Sequence, residues 1–132
     1  RLNDPLVVPE LARFNVELDT EPRALQGCVL SAMEDELSAT WRHCQTVAAD
    51  TGNALAMVGI LPSARETDLV RENMSSMKRY AALNEQVLRL RGGRPLILDI
   101  RGHEHLRLAQ WDVMLEAAAT SFQIHIQTPP QQ

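Results

Sequence analysis

The sequence predicts an α+β fold in which helices pack on one face of a mostly antiparallel sheet. Three helical patterns alternate with four strand-like runs, and the first and last of these runs carry polar side chains along one whole face. A parallel three-layer sheet is covered on both faces, whereas an antiparallel sheet can turn one face to solvent or to a cavity. With 132 residues, 45% of them hydrophobic, the chain suits one domain over residues 1–132.

The first predicted strand covers residues 14–20, where apolar and polar residues alternate strictly. A period of two is typical of a half-buried strand, and it places Glu17 and Asp19 on the same face. A long amphipathic helix is predicted over residues 21–52. Its beginning contains Pro22, which suits a first helical turn, and apolar residues then recur at helical spacing until a glycine ends the pattern.

The middle of the chain is predicted as strand, loop and helix. Residues 55–61 form a short apolar run that Pro62 ends, which indicates a strand buried on both faces. Residues 62–73 are charged and show no periodicity, so we expect a long loop there. The second helix is predicted over residues 75–91, because an apolar stripe recurs at helical spacing and two glycines follow it.

The last third of the chain is predicted as strand, helix and strand. Residues 96–101 alternate in character after a proline and stop at a glycine, which indicates a third strand. Residues 110–119 are rich in good helix formers and predict a short third helix. Residues 121–127 alternate again and predict the final strand, with His125 and Gln127 on its polar face.

Composition and cysteine spacing exclude several classes of protein. A net charge of −4 and a sequence pI near 5.5 argue against a nucleic-acid partner. No apolar run approaches the ~20 residues that span a bilayer, and the first residues do not resemble a signal peptide. Cys28 and Cys44 fall in the predicted first helix about 24 Å apart, too far for a disulfide within one chain. We therefore expect a cytoplasmic protein with no membrane association and with both cysteines as small core residues.

The polar faces of the first and last strands are the main candidates for chemistry. Carboxylates, amides and an imidazole are oxygen and nitrogen ligands, and carboxylate-rich sets suit Mg²⁺ or Mn²⁺. An ordinary solvent-facing strand face is the alternative interpretation, and it stays open on spacing alone. The side chains concerned are Asn15, Glu17 and Asp19 on the first strand and Gln123, His125 and Gln127 on the last.

Two further groups of polar residues surround the third predicted strand. His103 and His105 lie in the turn after it, but a helical zinc pattern needs its second histidine four positions after the first, where Arg107 stands. A solvated turn, or a contact to substrate, are the two interpretations of this pair. Asp99 and Arg101 share one strand face and are expected either to form a structural ion pair or to reach a cavity.

Several segments together resemble one known family, glutamate-cysteine ligase family 2, whose members are carboxylate-amine ligases. The run from Phe14 to Pro22 resembles that family's strand and Thr-Pro element, and the run from Thr120 to Gln127 resembles its later histidine-bearing strand. The order of the motifs agrees with the family over nearly the whole chain. Further similar segments between these two runs are Gly59–Pro62, Arg79–Asn84 and Leu98–Gly102.

The resemblance implies a fold, a reaction and a set of site residues. The fold would be part of a glutamine synthetase-like catalytic domain that binds ATP with Mg²⁺ or Mn²⁺, in a family linked to glutathione biosynthesis. A glutamate-like carboxylate would be phosphorylated, and an amine acceptor would then displace phosphate to form an amide. Glu17 would ligate the metal, and His125 would lie beside the metal or the phosphates. Asp19 and Gln127 are assigned to the cofactor site from strand face alone, and no catalytic residue is assigned.

The resemblance also predicts what the chain lacks. The family's opening strand, with its paired glutamates, would precede Arg1, and a C-terminal half would follow Gln132. We therefore expect the chain to be an internal portion of a larger ligase domain and to be inactive alone. The alternative is a non-catalytic binding or assembly module that keeps the fold and pairs its open sheet edge with another copy, as a homodimer.

Overall fold

The computed structural model describes residues 3–130, and within that range the chain forms two α helices and two antiparallel hairpins. The predicted α+β class is confirmed, while the relation to glutamine synthetase stays a prediction. The two chain ends, on which the prediction of an internal portion depends, lie outside the described residues. The elements are β1 (Val7–Pro9), β2 (Val16–Leu18), α1 (Val29–Asp50), a 3-10 turn (Arg71–Asn73), α2 (Lys78–Leu90), β3 (Leu96–Arg101), β4 (His105–Gln110) and a second 3-10 turn (Met114–Ala118).

The N-terminal hairpin pairs β1 with β2, so that Val8 lies opposite Glu17. The predicted strand at 14–20 is thus confirmed for its central residues. Its partner β1 is not predicted from the sequence, because it has only three residues and ends in a proline, which edge strands tolerate. The connection between the two strands carries Leu11 and Ala12 into the core, where Ala12 bridges to Met74.

Helix α1 begins later than predicted and ends where predicted. Residues 21–28 are not helical, and Gly27 among them has a φ of 57°, a left-handed conformation that breaks a right-handed helix. Gly52, just past the helix end, has a φ of 72°, as expected for a glycine in that position. Both cysteines are free. Cys44 is buried as expected, whereas Cys28, at the helix N-cap, is exposed, so the prediction that it is a core residue is wrong.

In the middle of the chain, the structure confirms the predicted loop and helix but not the predicted strand. Residues 55–61 do not form a strand, because among the described residues a single backbone bridge, between Ile60 and Ala119, joins them to another segment. The predicted loop at 62–73 is present and ends in the first 3-10 turn. Helix α2 follows close to its predicted bounds, and Gly92 and Gly93, with φ of 64° and 70°, end it.

The C-terminal third departs most from the predicted elements. Strand β3 is found as predicted, but the chain turns at residues 102–104 and returns as β4, which the sequence analysis does not predict. The predicted helix at 110–119 is therefore wrong, because its first residue belongs to β4 and only a short 3-10 turn follows. The predicted strand at 121–127 is wrong for the part of the chain that the structure describes, because no described strand pairs with these residues and they form no regular structure.

A small core joins the loop, α2 and the second 3-10 turn. Two buried polar side chains support it. Asn84 of α2 accepts a hydrogen bond from Val113 N at 3.1 Å, and Gln110 donates to Leu69 O at 3.0 Å. Neither helix of the described part has an apolar stretch long enough to cross a membrane. The buried core side chains are Leu11, Ala12, Leu69, Met74, Tyr80, Val113, Met114 and Ala117.

Candidate functional site

Glu17, at the centre of β2, lies in an acidic group at the N-terminal hairpin. Glu10, directly after β1, lies near enough to Glu17 for its negative charge to act on the Glu17 carboxyl group. Burial raises the pKa of Glu17 above its usual value, and the negative charges of Glu10 and then Asp19 raise it further. Glu17 and Asp19, which follows β2 directly, therefore lie close enough for their charges to interact. Glu10 is not predicted from the sequence, because it lies outside the alternating run.

Arg79, in the first turn of α2, faces this acidic group. Its Nη2 atom lies 3.8 Å from the nearer carboxylate oxygen of Glu17, and its positive charge opposes the rise in the pKa of Glu17. The same Nη2 donates to Tyr80 Oη at 2.6 Å and to Pro9 O at 3.3 Å. Tyr80 Oη also donates to Pro9 O, at 3.2 Å, so the guanidinium is held from two sides beside the two carboxylates.

The guanidinium of Arg79 also stacks on an aromatic ring. Its central carbon lies 4.6 Å from the centroid of the Tyr80 ring, within the range of a cation–π contact. The hydrogen bond from Arg79 to Tyr80 raises the pKa of the guanidinium. Arg79 falls in one of the segments that resemble the ligase family, but its place beside Glu17 cannot be read from the sequence, because the two residues are far apart along the chain and only the tertiary fold brings them together.

The remaining polar residue of the first strand face has a structural role. Asn15, just before β2, donates from Nδ2 to Ala117 O at 2.8 Å and so joins the N-terminal hairpin to the second 3-10 turn. The backbone N–H of Asp19 donates to Leu6 O at 2.8 Å, which continues the hairpin, while its side chain is exposed. Of the predicted polar face, Glu17 and Asp19 thus remain available to a ligand.

The structure does not bring the second predicted face to the first. His125 and Gln127 lie in the exposed segment after Ala119, and His125 Nε2 is 3.2 Å from Gln123 Oε1. No hydrogen bond or ion pair between described residues joins this segment to Glu17. Between residues 3 and 130, no three His, Cys, Asp or Glu side chains lie close enough together to hold a metal ion.

The polar side chains of the β3–β4 hairpin form an ion-pair group. Asp99 Oδ1 lies 2.9 Å from His105 Nε2 and 3.5 Å from Arg101 Nε, and Asp99 Oδ2 lies 4.0 Å from Arg107 Nε. Of the two alternatives for Asp99 and Arg101, the structure shows the ion pair. Because the side chains are largely exposed, such pairs contribute little to stability.

A cleft lies between the end of α2 and the second 3-10 turn. This cleft has a volume of about 220 Å³ and is lined by apolar side chains together with Arg91, Asp112 and Glu116. Arg91 Nη1 is buried and has no hydrogen-bond partner among the described residues. A buried donor without a partner is uncommon, and it destabilises the fold rather than supporting it.

The fold and the acidic group together show what kind of protein this is. This is an α+β protein with a carboxylate pair, and an arginine beside it, on the face of a small antiparallel sheet. The family model of glutamate-cysteine ligase family 2 matches residues 2–132, and the chain belongs to that family of carboxylate-amine ligases. Comparisons with curated proteins and with solved structures gave no match.

Proposed function

We propose that the chain carries part of the metal-nucleotide site of an ATP-dependent carboxylate-amine ligase of the glutamate-cysteine type. The observation that carries this proposal is the family match over residues 2–132, combined with the carboxylate pair at the N-terminal hairpin. Ligases of this class generally use ATP and Mg²⁺. The acid substrate would be glutamate-like, and it would be activated as an acyl phosphate before an amine displaces phosphate. The reaction would take place in the cytoplasm.

The donor chemistry of the carboxylate pair suits a divalent cation. Mg²⁺ in nucleotide sites is commonly held by one or two carboxylates, with waters and substrate phosphates completing its shell. Glu17 and Glu10 supply two carboxylates, and Asp19 adds negative charge beside them. Burial, and then the negative charges of Glu10 and Asp19, raise the pKa of Glu17, and a bound cation would relieve the repulsion among these carboxylates. Bound Mg²⁺ or Mn²⁺ would neutralise the charge of the phosphates.

The other proposed residues act around this pair. Arg79 orients Glu17 and supplies a positive charge that can contact phosphate. His125 and Gln127 would have to move to reach a nucleotide beside Glu17, since in the described chain they lie in an exposed segment that no hydrogen bond joins to Glu17. The alternative function is a non-catalytic assembly module, which would have no need of the carboxylate pair.

A titration of thermal stability with Mn²⁺ and ATP tests the proposal. A ligand at ~100 times its Kd that binds only the folded state stabilises that state by about 2.7 kcal/mol. We expect the wild type to show such a rise and Glu17→Gln to lose most of it. Glu104→Gln, in the exposed turn of the β3–β4 hairpin, is the matched control and should respond like the wild type. Identical responses of wild type and Glu17→Gln would show that the metal is not held at Glu17.

A second pair of variants tests the histidine. His125→Ala should weaken the response to ATP with Mn²⁺, whereas His43→Ala, on an exposed position of α1, should not. If neither the wild type nor any variant responds to nucleotide, the assembly module becomes the better description of this chain. Release of inorganic phosphate in the presence of glutamate is the separate readout for the reaction itself.

A further inference from the structure

Arg79 lies beside Glu17 without donating a hydrogen bond to it. The nearest atoms of the two side chains, Arg79 Nη2 and Glu17 Oε2, are 3.8 Å apart. Charge-assisted hydrogen bonds between a guanidinium and a carboxylate are commonly about 2.7–2.9 Å long and often form in parallel pairs. The attraction between the two charges favours that closer geometry, so other contacts hold the guanidinium back.

Two acceptors hold Arg79 Nη2 at this distance. The Nη2 atom donates to Tyr80 Oη at 2.6 Å and to Pro9 O at 3.3 Å, and it carries two N–H groups for these two acceptors. Tyr80 Oη in turn donates to Pro9 O at 3.2 Å, so hydrogen bonds join the three atoms in a closed triangle. The donors of Nη2 are therefore directed to the phenol and to the backbone rather than to the carboxylate.

Both acceptors belong to well-packed parts of the fold. Tyr80 is 7% exposed and lies in the core cluster, and Pro9 is paired with Val16 in the N-terminal hairpin. By contrast, the side chains of Arg79 and Glu17 are 52% and 40% exposed. The buried phenol therefore sets the position of the more exposed guanidinium, and not the reverse.

We propose that Tyr80 is a positioning residue, whose hydroxyl holds Arg79 back from Glu17 so that the Glu17 carboxylate stays open to a divalent cation. This inference rests on the proposed metal site and adds to it a residue that contacts no ligand itself. A carboxylate oxygen binds Mg²⁺ at about 2.0–2.1 Å, and an oxygen already paired with a guanidinium has to be released first. At 3.8 Å, Arg79 balances part of the negative charge without occupying the oxygens of Glu17.

Tyr80→Phe separates this role from the packing of the core. The change removes the hydroxyl and keeps the ring, on which the central carbon of Arg79 stacks at 4.6 Å. Crystal structures of the wild type and of this variant, both without metal, give the first readout. We expect the distance from Arg79 to Glu17 to fall from 3.8 Å to hydrogen-bond length, because the acidic group attracts the released guanidinium. An unchanged distance, or a guanidinium that turns away from Glu17, would overturn the proposal.

The affinity for Mn²⁺ alone, measured by electron paramagnetic resonance of the free ion, is the second readout. Tyr80→Phe should weaken Mn²⁺ binding by about three- to fivefold, since the cation then competes with a closer ion pair at a partly exposed site. Arg79→Met should bind Mn²⁺ at least as tightly as the wild type, and adding Tyr80→Phe to it should have no further effect. Arg89→Met is the matched control, because it removes the same charge from an exposed position of the same helix and should leave the effect of Tyr80→Phe intact.

The comparison of these backgrounds decides whether Tyr80 acts through Arg79. An equal loss of Mn²⁺ affinity with and without the Arg79 guanidinium would overturn the proposal, and so would weaker binding by Arg79→Met than by the wild type. Position 79 is exposed, so Arg79→Met should fold like the wild type, and circular dichroism checks the folding of every variant. A wild type that binds no Mn²⁺ would refute the proposed metal site instead. The distance from Arg79 to Glu17 in Tyr80→Phe would then still decide whether the hydroxyl holds the guanidinium back.

Discussion

Replacement of Asn84 is the most direct test of how the core is held together. Asn84 is 1% exposed and accepts a hydrogen bond from the buried Val113 N, which joins α2 to the second 3-10 turn. Asn84→Ala leaves that N–H without a partner, which costs about 1–3 kcal/mol, and also leaves a small cavity. We expect a total loss of about 2–4 kcal/mol in the free energy of unfolding, a large part of the ~5–15 kcal/mol that domains commonly have.

Urea denaturation followed by circular dichroism measures this loss, and two variants divide it into its parts. Asn84→Leu keeps most of the side-chain volume and loses the acceptor, so we expect it to retain the hydrogen-bond loss of about 1–3 kcal/mol. Glu85→Ala, at the next and exposed position of α2, should change stability by less than about 0.5 kcal/mol. If Asn84→Ala is as mild as Glu85→Ala, the contact between α2 and the 3-10 turn does not hold the core together.

Three further predictions concern titratable or unpaired groups. Arg91→Met should leave the free energy of unfolding in urea unchanged or raise it by up to ~1 kcal/mol, because the change removes a buried N–H without a partner and keeps an apolar stem. A clear loss of stability would mean that Arg91 is paired. Because the pKa of Glu17 is raised above 4.5 in the folded chain, ionisation of Glu17 destabilises the fold, so the wild type should lose stability relative to Glu17→Gln as the pH rises above 4.5. An equal pH dependence of the two proteins contradicts this. With a thiol reagent, the exposed Cys28 should react at once. Cys44 is 5% exposed and burial raises its pKa, so it should react at least about tenfold more slowly, and added urea should remove this difference.

Local patterns predict the parts of this fold that depend on neighbouring residues. The bounds of β3 follow from the alternation of apolar and polar residues. The C-terminal ends of both helices follow from glycines that adopt positive φ. The hairpin return β4 also alternates, with Leu106 and Leu108 on one face, but residues at its end are good helix formers, and that preference misleads the prediction. Residues 121–127 show the opposite error. They alternate as a strand does, but no described strand pairs with them, so the predicted strand does not form.

One part of the candidate site can also be predicted from local sequence, and another part cannot. The alternation of β2 predicts that Glu17 and Asp19 share a face, because that depends on sequence neighbours. The arrival of Arg79 and Glu10 at the same place depends on how the hairpin meets α2, and no local pattern carries that information. Sequence therefore predicts the acidic strand but not the arginine that faces it. No hydrogen bond or ion pair between described residues joins His125 to Glu17, and a site that these two residues share stays a prediction.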